Sequence, residues 1–295
     1  MEAMDDLVVV EAERRTLLAL AYRLLGTVAD AEDAVQETYV RWVRLTDAER
    51  ARIVNPGAWL TRVAGRICLD ALGSARARRE SYVGQWLPEP VPQDSLFVTP
   101  VPDPLDSVSL DESVGMALLV LLESLTPPER VAFVLHDVFG VPFAEIAETV
   151  GRSTDAVRQL ASQGRRRVRE RRARLATREQ HDAVARAFLE AAATGRLDRL
   201  ITVLDPDVVL ISDAGGRKSA ALRPVLGADR VARFLQGIAR RHPGAEVILV
   251  PTADGLAALA TLDGSPDAVF SFVVEGERIT EVLAVRNPDK LTQWS

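Results

Sequence analysis

Cysteine, histidine and lysine are all scarce in this 295-residue chain, and each scarcity removes a class of chemistry. The single cysteine, Cys68, excludes a disulfide framework within the chain and any thiolate zinc site. Three histidines, His136, His181 and His242, leave little from which to build a metal site or a histidine base, so neither metal nor cofactor is expected. Lys218 and Lys290 are the only lysines, and the remaining cationic side chains are arginine. No stretch approaches the roughly 18 uninterrupted apolar residues of a membrane span. The first residues are acidic where a secretory signal is basic, so a cytoplasmic protein without a membrane partner is expected. With 47% hydrophobic and 26% charged residues, the composition is that of an ordinary folded protein.

The formal net charge of −6 hides a segmented distribution. Residues 52–79 carry six basic groups against one acidic, whereas residues 80–127 carry eight acidic groups and no basic one. Residues 152–178 hold ten arginines against two acids. Two basic blocks on one polypeptide suggest two nucleic-acid contacts, although solvated helix faces produce the same pattern. The acidic stretch reads either as a spacer or as a mimic of a nucleic-acid strand in a basic channel.

Residues 12–79 have helical periodicity throughout, in three helices: one ending at Gly26, one over about 31–45 and one over about 56–79. Six prolines between Pro88 and Pro104 then mark an extended linker. Helices are expected again at about 110–125, 127–138, 143–150 and 154–175. After about 178 the pattern becomes two helices, a strand at Val208–Ile211, a helix at 228–241 and strands at 245–250, 256–262, 267–275 and 278–285. Helices followed by antiparallel strands make an α+β domain.

The most specific local pattern is a helix-turn-helix, Phe143–Val150, Gly151–Ser153 and a long helix from Thr154. In the second helix Val157, Leu160, Ala161 and Val168 fall inward, and Arg158, Gln159, Ser162, Arg165, Arg166 and Arg169 fall outward. Arginine and glutamine are side chains that read base edges in a major groove. Gly164 lowers the helix propensity of this segment. On the helix from about 31, Asp30 is placed as N-cap, and Asp33, Gln36, Glu37 and Arg41 share a polar face opposite Trp42. Spacing alone gives that face as ordinary solvated surface. Arg62, Arg66 and Asp70 lie off the apolar stripe of the next helix, and Arg76, Arg78 and Arg79 extend its basic track along what can be a phosphate backbone. Trp59, on the stripe itself, reads as core.

Taken together, Asp30-Ala-Glu-Asp-Ala-Val-Gln-Glu-Thr-Tyr39, Ala58-Trp-Leu-Thr-Arg62 and the helix-turn-helix through Ala156–Ser162 resemble bacterial extracytoplasmic-function sigma factors over about residues 10–175. The resemblance implies a helical region 2 (1–79) and a helix-turn-helix region 4 (110–177), joined by a linker (80–109). It implies that Asp30, Asp33, Gln36, Glu37 and Arg41 dock on RNA polymerase core, through the β′ clamp helices, with the β subunit a further partner. Arg62, Arg66, Asp70, Arg76, Arg78 and Arg79 would meet the −10 element of promoter DNA, and the helix from Thr154 the −35 element.

Residues 178–295 are similar to the fused SnoaL-like domain of one sigma-factor subgroup, a cone of the nuclear-transport-factor-2-like kind around a pocket. Tyr82-Val-Gly-Gln-Trp-Leu-Pro-Glu-Pro90 resembles that subgroup's linker motif, Asp213-Ala-Gly-Gly-Arg-Lys218 its glycine-rich loop, and Asn287-Pro-Asp-Lys-Leu291 its C-terminal signature. Ala214 and Arg217 depart from the loop pattern. The implied regulatory set is Trp86, Pro88, Pro90, Asp213, Gly215, Gly216, Lys218, Asn287, Pro288, Asp289, Lys290 and Leu291. Asp289 and Lys290 read as an exposed polar clamp, and Asp213 as a turn residue. The expected function is promoter-specific transcription initiation by a sigma factor that is monomeric when free and is regulated in cis; a small pocket ligand is left open. No enzymatic activity is expected. The alternatives are a ligand-sensing helix-turn-helix regulator, which leaves residues 10–79 unexplained, and a SnoaL-type enzyme, for which the last domain offers no tyrosine and no partnered histidine.

Overall fold

The computed structural model describes residues 2–80, 82–98 and 115–294, with side chains described outside 2–10 and 75–80. Residues 99–114 of the acidic stretch lie outside the described residues. Two compact units result. One holds the described residues of 1–78, 94–113 and 121–169, the other those of 79–93, 114–120 and 170–295.

The first unit is helical. Helix α1 (Glu2–Leu25) stops at Gly26, whose φ of 80° suits glycine, and α2 (Val28–Val43) follows at once. Helix α2 starts a turn earlier than its sequence suggests. Thr27, not Asp30, is its N-cap: the threonine oxygen accepts from the Asp30 amide, and its hydroxyl donates to the Asp30 carboxylate. A β-region threonine satisfies the orphan amide as well as an aspartate does, and Asp30 then strengthens the first turn. After α3 (Asp47–Arg50), helix α4 (Pro56–Glu80) begins at a proline that suits a first turn. Leu17, Leu20, Leu24, Ala31, Val35, Leu60, Ala64 and Cys68 are buried, as their periodicity predicts. Trp42 and Trp59 meet edge to face at 5.3 Å, which adds about 0.5–1.5 kcal/mol to the area they bury.

Helices α5 (Met116–Glu123) and α6 (Pro127–Phe133) come next, and α6 runs into a wide π-turn, Val134–Val138. Helices α7 (Phe143–Val150) and α8 (Thr154–Arg172) form the helix-turn-helix, with Gly151 left-handed at φ 69° between them. Ser153 caps α8 by accepting from the Ala156 amide. Gly164 sits at a close approach of two helices. A Cβ there would sit 2.9 Å from the Cβ of Phe133, so the glycine is what lets α8 approach α6.

The second unit packs α9 (Arg178–Ala193), α10 (Leu197–Val203) and α11 (Ala228–Arg241) on one six-stranded sheet. Its strands are β1 (Leu204–Asp213), β2 (Val225–Leu226), β3 (Glu246–Pro251), β4 (Leu256–Leu262), β5 (Ser265–Glu275) and β6 (Arg278–Val285), in the order β2-β1-β6-β5-β4-β3. Only the β1–β6 pair is parallel. Alternate residues of β5 (Ala268, Phe270, Phe272, Val274) join Val208, Leu210, Phe188 and Val231 in the core under the helices. The turn at Asp263 (φ 51°) and Gly264 links β4 to β5, and Gly276 links β5 to β6, both where turn chemistry places them. The α+β architecture matches the sequence expectation. Leu87, Pro88, Pro90 and Val91 of the linker are buried in this same unit.

Candidate nucleic-acid interface and linker site

On α2, Asp33, Gln36 and Arg41 are exposed, whereas Ala34, Val35, Thr38 and Trp42 are buried. Glu37 accepts from Arg41 at 3.0 Å, one turn along, so the two charges organise each other on the polar face of α2. Asp30 is half-buried beside Thr27.

On α8, Arg158, Gln159, Ser162, Arg166 and Arg169 are exposed in one band. Arg165 is placed differently: it lies on the flank of the helix, half-buried, and its Nε donates to Asp137 of the π-turn at 2.5 Å. That contact raises the guanidinium pKa above its ordinary value. Arg158 pairs with Asp155 at 2.8 Å and sits 5.8 Å over the Phe143 ring, which in turn stacks on His136 at 3.7 Å. The Arg167 guanidinium is 3.5 Å from Glu129.

Arg62 and Arg66 of α4 both have partners on α7, although Arg66 remains about half exposed. Arg62 lies 3.4 Å from Glu145 and 3.6 Å from Glu148, both on α7. Arg66 donates to the Thr149 carbonyl at 2.7 Å and lies 3.6 Å from Asp70. Buried Arg130 of α6 donates to the Leu24 carbonyl and to Glu123, and burial lowers its pKa to about 10. Arg76, Arg78 and Arg79 lie on the last turns of α4, with side chains outside the described residues. The acidic pair Glu145 and Glu148, three residues apart on α7, was the available sequence signal for this contact, and charge counting by segment passed over it.

In the second unit the three linker and loop motifs converge on one carboxylate. Asp213 is no turn residue: it ends β1 with 0% exposure. Its Oδ1 accepts from the Tyr82 hydroxyl at 2.6 Å and the Gly215 amide at 3.1 Å. Its Oδ2 accepts from the Leu87 amide at 2.9 Å and from Lys290 Nζ at 2.8 Å. Lys290 is 6% exposed, donates also to the Leu87 carbonyl, and lies 4.2 Å from the Trp86 ring centroid and 5.3 Å from that of Tyr82. The expected exposed clamp is therefore a buried ion pair with a different partner. Asp289 is exposed and 3.7 Å from Arg217. Burial, then the Asp213 hydrogen bond, drives the Tyr82 phenol pKa well up.

Asn287 donates to Tyr82 at 2.9 Å and caps the turn holding Pro288 and Asp289. Leu291 is buried, and Trp294 donates to the Pro90 carbonyl at 2.8 Å. Gly215 and Gly216 have φ of 57° and 70°, and a Cβ on Gly215 would lie 2.5 Å from Asn287 Nδ2. The Arg at 217 is tolerated because that side chain points outward. Lys218 pairs with Asp267 at 2.9 Å, whose other oxygen takes Arg286 at 2.7 Å. Partial burial opposes ionisation of Asp267, yet these two cations hold its pKa below the ordinary range. In the sequence Tyr82 is only one residue of the linker motif, yet it touches both ends of this network.

His181 is buried with Nε2 3.1 Å from the Phe272 carbonyl. An open cleft of about 480 Å³ lies between α10, α11 and β1, lined by Leu204, Gly227, Asp229, Arg230 and Arg278. Among the described residues no helix is long and apolar enough to cross a membrane, and no cluster of three candidate metal ligands occurs.

Residues 9–78 match the family description Sigma-70 region 2, and residues 115–168 match Sigma-70, region 4. The chain is 41% identical to the ECF RNA polymerase sigma factor SigJ of Mycobacterium tuberculosis over 300 residues, covering 96% of this chain and 92% of that protein. It is 38% identical to the probable ECF RNA polymerase sigma factor SigI of the same species, covering 95% and 92%. The crystal structure of M. tuberculosis SigJ superposes with a TM-score of 0.73 at 37% identity, covering 96% of this chain and 97% of that one. A match of this extent runs through the linker and the last domain as well as both helical regions, and the chain belongs to the ECF RNA polymerase sigma factors.

Proposed function

We propose that this sigma factor docks on RNA polymerase core through Asp33, Gln36, Glu37 and Arg41 of α2, meets the −10 element through α4 and reads the −35 element through α8. Docking would engage the β′ clamp helices, with the β subunit a further contact. The observation that carries the −35 reading is the exposed band of Arg158, Gln159 and Ser162 in the first turns of a capped helix, the part of a recognition helix that reaches base edges. Arg158→Ala should weaken binding by about 1–3 kcal/mol and relax choice at one base pair. Run-off transcription by core polymerase on a randomised −35 library checks this. An unchanged preference across alanine variants of Arg158, Gln159 and Ser162 sinks the assignment.

In the free protein Arg62 and Arg66 are engaged by α7, so −10 DNA competes with α7 for these side chains. Half-exposed pairs contribute about 0–1 kcal/mol each. Replacing Glu145 and Glu148 together by glutamine should then raise the rate of promoter engagement by about two- to tenfold. Equal rates in stopped flow would mean that this contact is no barrier.

Regulation in cis is supported by the Asp213–Lys290 network, which fastens linker residues 82–91 to the last domain. Deleting residues 287–295 should change transcription at unchanged promoter preference.

A further inference from the structure

We propose that Asp137 is a positioning residue for promoter binding: it holds the Arg165 guanidinium by its Nε edge and leaves the Nη edge presented to a DNA phosphate beside the −35 element. This rests on the reading of α8 as the recognition helix. Arg165 lies six residues beyond Gln159 and seven beyond Arg158 on α8, so it stands roughly 9–10 Å further along the axis than the base-reading pair. A major groove about 12 Å wide extends only about 6 Å to either side of its floor, so when Arg158 and Gln159 reach that floor, Arg165 meets the backbone at the rim.

Asp137 is well placed to act as a mount. It sits in the π-turn that ends α6, outside the recognition helix, and its side chain is only 17% exposed. Such wide turns recur at functional positions because the extra residue redirects a side chain. Asp137 Oδ1 takes the Arg165 Nε, while its Oδ2 is buried without a partner among the described residues. The carboxylate is thus committed to one edge of the guanidinium. Arg165 keeps 40% of its side-chain surface exposed, and the fork geometry of arginine leaves two parallel N–H donors for a phosphate. Holding a long side chain in its bound orientation removes ordering entropy that binding would otherwise cost.

The test uses the full chain assembled with core polymerase, and a promoter duplex enriched by the parent holoenzyme from a randomised −35 pool. Asp137→Asn should weaken binding about three- to tenfold, equally for preferred and scrambled −35 sequences. Asp137→Glu should recover most of the loss. In an Arg165→Ala background, which itself should make the salt dependence shallower by about one phosphate contact, Asp137→Asn should add nothing. If Asp137→Asn leaves affinity unchanged or tightens it while Arg165→Ala weakens it, Asp137 competes with DNA for the guanidinium and the proposal is overturned. If Arg165→Ala is itself silent, the reading of Arg165 as a DNA contact falls first, and the mount falls with it. Losses in Asp137→Asn that persist without Arg165 would mark a purely structural role and also overturn it.

Discussion

Replacing Lys290 with methionine is expected to release the linker from the second unit. The substitution keeps the length and apolar stem of the side chain but leaves the Asp213 carboxylate charged, fully buried and without its cation. Removing one partner of a buried pair costs about 3–5 kcal/mol, because the remaining charge keeps its desolvation penalty. The loss should concentrate on the segment that Lys290 holds directly. Lys290 donates to the Leu87 carbonyl and lies against the Trp86 ring, while the Leu87 amide shares the Asp213 oxygen. Amide exchange in residues 82–93 should therefore accelerate by about 100-fold or more, while β4 and β5 change little. Adding Asp213→Asn to Lys290→Met should cost less than the sum of the two singles, since the stranded charge disappears. Run-off transcription should change in amount and keep its promoter preference. Exchange in residues 82–93 equal to the parent's would show that the ion pair does not hold the linker.

Gly164→Val is expected to destabilise the first unit by about 2–3 kcal/mol through overpacking. Even a single added carbon would lie 2.9 Å from Phe133 Cβ and 3.6 Å from the Glu129 carbonyl, and valine adds two further methyls with one preferred rotamer. Gly164→Ala should cost less, because about 1 kcal/mol of helix propensity offsets part of the clash. Thermal unfolding of the pair of variants separates the two effects, and −35 affinity should fall only as far as the folded fraction does. A higher melting temperature for Gly164→Val would mean that the glycine weakens α8 and that its closeness to α6 is incidental.

Much of the architecture was legible in the residues. The strands at 256–262 and 278–285 and the helix at 228–241 fall where period and turn residues put them, because hydrophobic alternation and Gly or Asp turns act over a few neighbours. The helix-turn-helix is equally local. Helix α2 starts one turn before its sequence expectation because Thr27 and Asp30 are both competent caps, and only the path of the chain after Gly26 decides between them.

Long-range pairing belongs to a different category. Sequence placed Asp213, Lys290, Trp86 and Tyr82 in three motifs separated by up to about 200 residues, and a motif alone carries no statement about which carboxylate meets which amine. That Asp213 takes Lys290, and that Asp289 is left to Arg217, follows from the parallel pairing of β1 with β6, which brings the C-terminal ends of both strands to the same end of the sheet. The same holds for charge. Counting arginines along the chain identified α4 and α8 as cationic, yet whether a guanidinium is free depends on what folds beside it. Arg62 meets Glu145, Arg66 meets the Thr149 carbonyl, and Arg165 meets Asp137. The sequence by itself determined the family, the elements and the residue types that can bind DNA. Tertiary structure alone decided which of those side chains are engaged by partners within the protein, because a charge finds its counter-ion through space and not along the chain.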